Sequence, residues 1–120
     1  MPSPVVVAGA GQSGLRVAGE LAWSGRQVTL VERLPACGGQ EPEHPLAAEL
    51  TTAALESGVQ IMPATCAVAW GGGALDILGV DGARRIEAGT LVVATGCRPA
   101  TRGELGITGD RCAGVLPASD

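Results

Sequence analysis

Ten residues near the start of the chain, Val5-Val6-Val7-Ala8-Gly9-Ala10-Gly11-Gln12-Ser13-Gly14, restrict the fold more than any other stretch. Three β-branched residues in succession suit a strand buried on both faces, as in a parallel sheet. The glycines that follow have the spacing GxGxxG. Gly9 permits a tight turn from strand to helix, Gly11 lets a pyrophosphate come close to the backbone, and Gly14 lets the new helix pack tightly on its sheet. N–H groups free at the helix start face the phosphates, and the helix dipole favours their negative charge. Residues 9–14, with Ala10, Gln12 and Ser13 between the glycines, are therefore the candidate pyrophosphate site.

GxGxxG alone is weak evidence in a chain with 19 glycines among 120 residues, and an ordinary βαβ unit with incidental glycines is the competing reading. The surroundings favour the nucleotide. Helix-compatible sequence runs from Gln12 to Ser24, with Leu15, Ala18 and Ala22 on one side and Val17 and Leu21 beside them. Gly25 is a natural stop. A second buried strand, Gln27–Val31, leads to Glu32. Seventeen residues lie between Gly14 and Glu32, the interval at which dinucleotide folds place the acid that accepts hydrogen bonds from the adenosine ribose.

Length and composition fit one domain of modest size. Apolar residues make up 46% of the chain, yet Trp23 and Trp70 are its only aromatic residues. The core must come from Ala, Val, Leu and Ile, leaving little aromatic surface to stack on bases. A net charge of −4 argues against nucleic acid or an acidic membrane as partner. No apolar run approaches spanning length, and Met1-Pro2-Ser3 lacks a signal-peptide layout, so the cytoplasm is the expected compartment. Cys37, Cys66, Cys97 and Cys112 form no CxxC pair. That spacing disfavours a metal centre or a redox disulfide and suits small apolar residues in a reducing cell.

The loop after Glu32 contains Cys37-Gly38-Gly39-Gln40. Its paired glycines suit either a flexible turn or close backbone approach to a bulky ligand, with the Gln40 amide as a polar contact. A second helix starts at Pro45, carries Leu46, Leu50 and Ala54 at helical spacing, and ends before Gly58. His44 precedes it with no nucleophile motif nearby and reads as a solvated loop residue rather than a catalytic base. Gly58–Ile61 is a short third parallel strand. Segments 65–70, 74–80 and 84–87, joined by Gly71-Gly72-Gly73 and Asp81-Gly82, form a three-stranded antiparallel meander over one sheet face. Thr90–Ala94 is another buried strand, ending in Thr95-Gly96. Residues 1–100 then form a dinucleotide-binding domain, and 101–120 a connector or partner-docking tail.

This order of fingerprint, acid, Gly-Gly loop, meander and Leu91-Val92-Val93-Ala94-Thr95-Gly96 resembles the flavoproteins of the pyridine-nucleotide disulfide oxidoreductase superfamily, with their glutamate-synthase-like and dienoyl-CoA-reductase-like relatives. The resemblance covers essentially the whole chain. It implies a Rossmann-like FAD/NAD(P)-binding domain in the α/β class, with a parallel sheet and an antiparallel β-meander. Such proteins use the fold twice, once for FAD and once for NAD(P)H. Gly38-Gly39-Gln40 is similar to the loop that contacts flavin. Leu105–Asp110 and Gly114-Val115-Leu116 are similar to the segment leading out of an FAD domain. Arg16 stands where the pyridine-nucleotide copy commonly has Glu. These points favour FAD, with NAD or ADP as the alternative. Residues 28–33 and 95–99 suit either copy. Glu32 would repel a 2′-phosphate, which disfavours NADP.

On this resemblance Arg33 lies along the adenine face and Ala67-Val68 present backbone groups to the adenine edge. Gly39 and Gln40 approach the flavin, and the turn Ala94-Thr95-Gly96 passes close to the dinucleotide. Members of the superfamily return from a second dinucleotide domain with a Gly-Asp pair that meets the flavin. Gly109-Asp110 and Ser119-Asp120 lie in a different context, and no catalytic pair can be drawn. The expectation is an FAD-binding subunit or fragment of a hetero-oligomeric oxidoreductase, completed by a larger partner subunit. The alternative is a non-catalytic ADP- or NAD-binding module.

Overall fold

The computed structural model describes residues 3–39 and 44–96. Gln40, the segment 101–120 and the Gly-Asp and Ser-Asp pairs named above lie outside the described residues. Strand β1 (Val5–Ala8) enters helix α1 (Gln12–Trp23), followed by β2 (Val28–Val31), α2 (Pro45–Glu56) and β3 (Gln60–Met62). The meander is β4 (Cys66–Gly71), β5 (Ala74–Gly79) and β6 (Gly82–Glu87), and β7 (Thr90–Val93) returns to the first sheet. That sheet has the order β3-β2-β1-β7, with every pairing parallel.

Three layers result. Val5, Val7 and Leu30 face the helices and pack with Leu15, Ala18, Ala54 and Val59. Val6 and Val31 face the other way and pack with Leu75, Ile77 and Ala88 of the meander side. A strand covered on both faces has no use for polar alternation, and all four residues of β1 are buried. The expected α/β class, Rossmann-like sheet and antiparallel meander are all present.

Helices α1 and α2 meet over very small residues. A Cβ placed on Gly19 would reach the Ala54 Cα at 3.7 Å, so the backbones approach closely with little side chain between them. This changes the expected face of α2. Ala47 and Ala54 are its buried residues, whereas Leu46 and Leu50 are only half-buried. His44 is exposed, as expected, and its Nδ1 accepts a hydrogen bond from the Leu46 N–H at 3.1 Å, capping the helix. Ranking residues by hydropathy finds neither feature.

Two strands depart from expectation. Residues in β3 are shifted toward Met62, because Val59 is still occupied in closing helix α2, its N–H donating to the Ala54 carbonyl. β7 is not buried. Among the described residues it is the last strand in the order and pairs with β1 alone, which leaves Val93 68% exposed. Composition does not distinguish an edge strand from a central one here.

Order also locates the functional end. From β1 the chain moves outward through β2 and β3, then crosses back to place β7 on β1's other side. A reversal of this kind opens a crevice beyond the carboxyl end of the central strand, where open α/β sheets bind ligands. Hydrogen bonds from Gly9 N–H to the Val31 carbonyl and from Ala94 N–H to the Ala8 carbonyl, both 2.8 Å, tie the three strand exits together.

Gly14→Ala tests how tightly this junction is packed. Gly to Ala inside a helix ordinarily stabilises by about 1 kcal/mol. Here the new methyl would collide with the Gly9 carbonyl oxygen. The substitution is expected to destabilise by about 3 kcal/mol, read as a lower urea midpoint at unchanged slope.

Candidate functional site

At the exit of β1 each fingerprint glycine has a different physical reason. Gly9 has φ +109°, and a side chain there would strike the backbone of Ala94 and Thr95. Gly14 abuts the Gly9 carbonyl, with the Ala94 Cβ at 3.3 Å from the position of an added Cβ. Both positions are therefore required by the fold itself. Gly11 differs. Its backbone is extended, with φ −72° and ψ −175°, which any residue adopts. Among the described residues, an added Cβ would make only an ordinary contact, 3.7 Å from the Gly39 Cα.

Gly11 is also the N-cap of α1. It offers no side-chain cap, and the first turn carries no acidic residue. The opening N–H groups of the helix thus keep their capacity to bind an anion. Gln12 is half-buried in that turn and Ser13 is exposed. The donor set and the space at Gly11 fit a diphosphate.

Glu32 lies at the exit of β2 and is only 7% exposed. Its Oε1 accepts the Ala10 N–H and its Oε2 accepts the Leu34 N–H, both at 2.9 Å. Hydrogen bonds to a charged acceptor are among the stronger ones, and two of them offset the cost of burying the carboxylate. Each oxygen retains a second acceptor site for a ribose hydroxyl. The Glu32 backbone is fixed as well, its N–H donating to the Met62 carbonyl at 2.9 Å and its carbonyl accepting from Thr65 at 2.8 Å.

Gly38 and Gly39 sit against the fingerprint. The Gly38 N–H donates to the Ala10 carbonyl at 2.8 Å, and a Cβ on Gly39 would stand 3.1 Å from the Gly11 Cα. The structure thus brings together Gly9, Ala10, Gly11, Gly14, Glu32, Gly39, Ala94 and Thr95. Among the described residues, nothing lies within 4 Å of a Cβ added at Gly96. Arg33 is exposed on the loop beyond β2, and Ala67 and Val68 are exposed on β4. The pairing of β4 with β5 is irregular between Ala67 and Ala69. Hydrogen bonds from the Thr65 N–H to the Glu32 carbonyl and from the Ala64 N–H to the Leu34 carbonyl tie the approach to β4 to the cluster. Sequence reasoning missed the Leu34 N–H and the Gly38 N–H, since backbone donors carry no residue-type signature. A hollow lined by Met62, Thr65, Ile77, Gly79 and Arg84 lies beside the meander and includes none of the expected residues.

Cys37 packs against the core below this loop. Burial pushes its thiol above the ordinary range, the Glu32 charge pushes in the same direction, and a hydrogen bond with Thr51 opposes them. At neutral pH it is a neutral thiol. Among the described residues, no group of His, Cys, Asp and Glu is placed to hold a metal ion. Among them too, no helix is long and apolar enough to cross a membrane.

The family model for pyridine nucleotide-disulphide oxidoreductases matches residues 1–116. The chain belongs to this family. The more specific glutamate-synthase-like grouping has no such support. Solved structures share the family's fold. Bacillithiol disulfide reductase Bdr from Bacillus cereus is 23% identical, with a TM-score of 0.70 over 91% of this chain and 33% of its own. BexE, studied for oxidation during BE-7585A biosynthesis, is 27% identical, with a TM-score of 0.69 over 88% of this chain and 34% of its own. OxyS anhydrotetracycline hydroxylase from Streptomyces rimosus is 20% identical, with a TM-score of 0.66 over 80% of this chain and 32% of its own. The chain therefore spans about a third of the length of each. No curated protein matches it by sequence.

The Cys37 environment gives a direct test. The pH profile of iodoacetamide alkylation, followed on the Cys37 peptide by mass spectrometry, is expected to have its midpoint above the ~8.5 of a free cysteine. A midpoint below that value would contradict the burial described.

Proposed function

We propose that this chain binds FAD through its ADP half and serves as the FAD-binding part of an oxidoreductase. The observation that carries the reading is Gly11. Its conformation and its space would accept a side chain, yet it stands bare at an uncapped helix start, in the crevice where the sheet order reverses. A diphosphate passing over Gly11 explains what packing among the described residues does not.

In this reading the N–H groups of Gly11, Gln12, Ser13 and Gly14 meet the pyrophosphate. Glu32 offers its free lone pairs to the adenosine ribose and repels a 2′-phosphate, while Arg33 covers the adenine and Ala67-Val68 meet its edge. Gly39 lies on the flavin side, and Ala94-Thr95-Gly96 leave room for the dinucleotide to pass. FAD supplies the electron or hydride transfer, and the protein supplies binding and orientation. Neighbours such as Bdr and BexE have about three times as much chain. That supports a reaction site completed by further protein, which we assign to a larger oxidoreductase subunit in the cytoplasm.

Two measurements test the proposal. Protein purified gently with its companions is expected to show flavin absorption in the visible blue. Release of only ADP or NAD on denaturation assigns the site to the non-catalytic alternative. Gly11→Ala is expected to lower FAD affinity about tenfold or more while leaving the unfolding free energy within about 0.5 kcal/mol of the parent. Retained affinity with the same stability would remove Gly11 from the site.

A further inference from the structure

The role given to Glu32 above is contact with a ribose. Its carboxylate also closes a ring of contacts around the phosphate end of the site. Oε1 holds the Ala10 N–H and Oε2 holds the Leu34 N–H. The chain then runs from Leu34 to Gly38, whose N–H returns to the Ala10 carbonyl at 2.8 Å. One residue further on, Gly39 rests against Gly11. Both polar backbone groups of Ala10, on either side of its Cα and one residue before Gly11, are thereby fixed by Glu32 and the loop that follows it.

We propose that Glu32 is a positioning residue for the diphosphate. It holds loop 33–39 against the glycine loop and so fixes the cleft at Gly11 before a nucleotide arrives. This rests on the reading of the site as a dinucleotide cleft and deepens it, because phosphate recognition then depends on a residue that need not touch phosphate.

The chemistry of glutamine supplies the test. A carboxylate accepts at two oxygens, whereas an amide accepts at one and its NH2 only donates. Glu32→Gln must therefore release either Ala10 or Leu34. Inorganic pyrophosphate, which has no ribose, is titrated by calorimetry into the parent chain and into Glu32→Gln, with ADP as the companion ligand. Positioning predicts that the variant loses about fivefold or more in pyrophosphate affinity. It also predicts faster hydrogen exchange at the Ala10 and Leu34 amides of the ligand-free variant.

A residue that only binds ribose predicts the reverse. Pyrophosphate affinity would stay the same or rise, since a negative charge has been removed, and either result overturns the proposal. So does a parent chain that binds ADP but not pyrophosphate. A parent chain that binds neither overturns the nucleotide reading itself. Should Glu32→Gln fail to fold, Gly39→Ala disturbs the same contact with the Glu32 carboxylate intact. It strains a backbone at φ +66° against Gly11, and it too is expected to weaken pyrophosphate binding. Undiminished pyrophosphate binding by a folded Gly39→Ala chain overturns the proposal.

Discussion

At Gly9 and Gly14, where β1 gives way to α1, there is no room for a side chain, and the rest of the molecule is arranged around that exclusion. Gly14 lies against the Gly9 carbonyl, and Gly9 lies against the backbone leaving β7. With those contacts made, the start of α1 must sit directly over the carboxyl end of the central strand. Its direction, and so the direction of its free N–H groups, follows from packing rather than from any ligand. The small residues between α1 and α2 continue the same economy of space along the helix.

Electrostatics at this junction are divided between two places. The start of α1 offers partial positive charge with no side-chain cap. Glu32 brings a full negative charge close by, but one backbone N–H occupies one side of each oxygen. The arrangement suits a ligand with an anionic middle and a hydroxylated sugar beyond it. It is poorly suited to a second phosphate on that sugar, and Cys37, neutral and half-buried, adds no charge.

Much of this was legible in the residues. β1 announces itself by β-branched side chains because both of its faces are covered, and α1 by its periodicity and the closing Gly25. Asp81-Gly82 and the triple glycine mark the meander turns because those conformations favour glycine. The exposure of β7 is not legible, because an apolar run has the same composition at an edge as at the centre. Nor is the burial of Ala47, because a close helix contact uses small residues, whose hydropathy is unremarkable. His44 as a cap, and the N–H groups of Leu34 and Gly38, lack any residue-type signal for these roles. The fingerprint spacing already separates Gly11 from the turn at Gly9 and the packing at Gly14, and the structure adds the backbone contacts that exclude a side chain from the last two.

The central claim is that a diphosphate rests on the first turn of α1 beside Glu32. It is tested most directly by titrating FAD into the isotopically labelled chain and following its backbone amide resonances. The account predicts that Gly11, Gln12, Ser13 and Gly14 shift most, with Leu34 and Gly39 following. Amides of the glycine loop that stay still, or shifts gathered instead around the hollow between Met62 and Arg84, would contradict it.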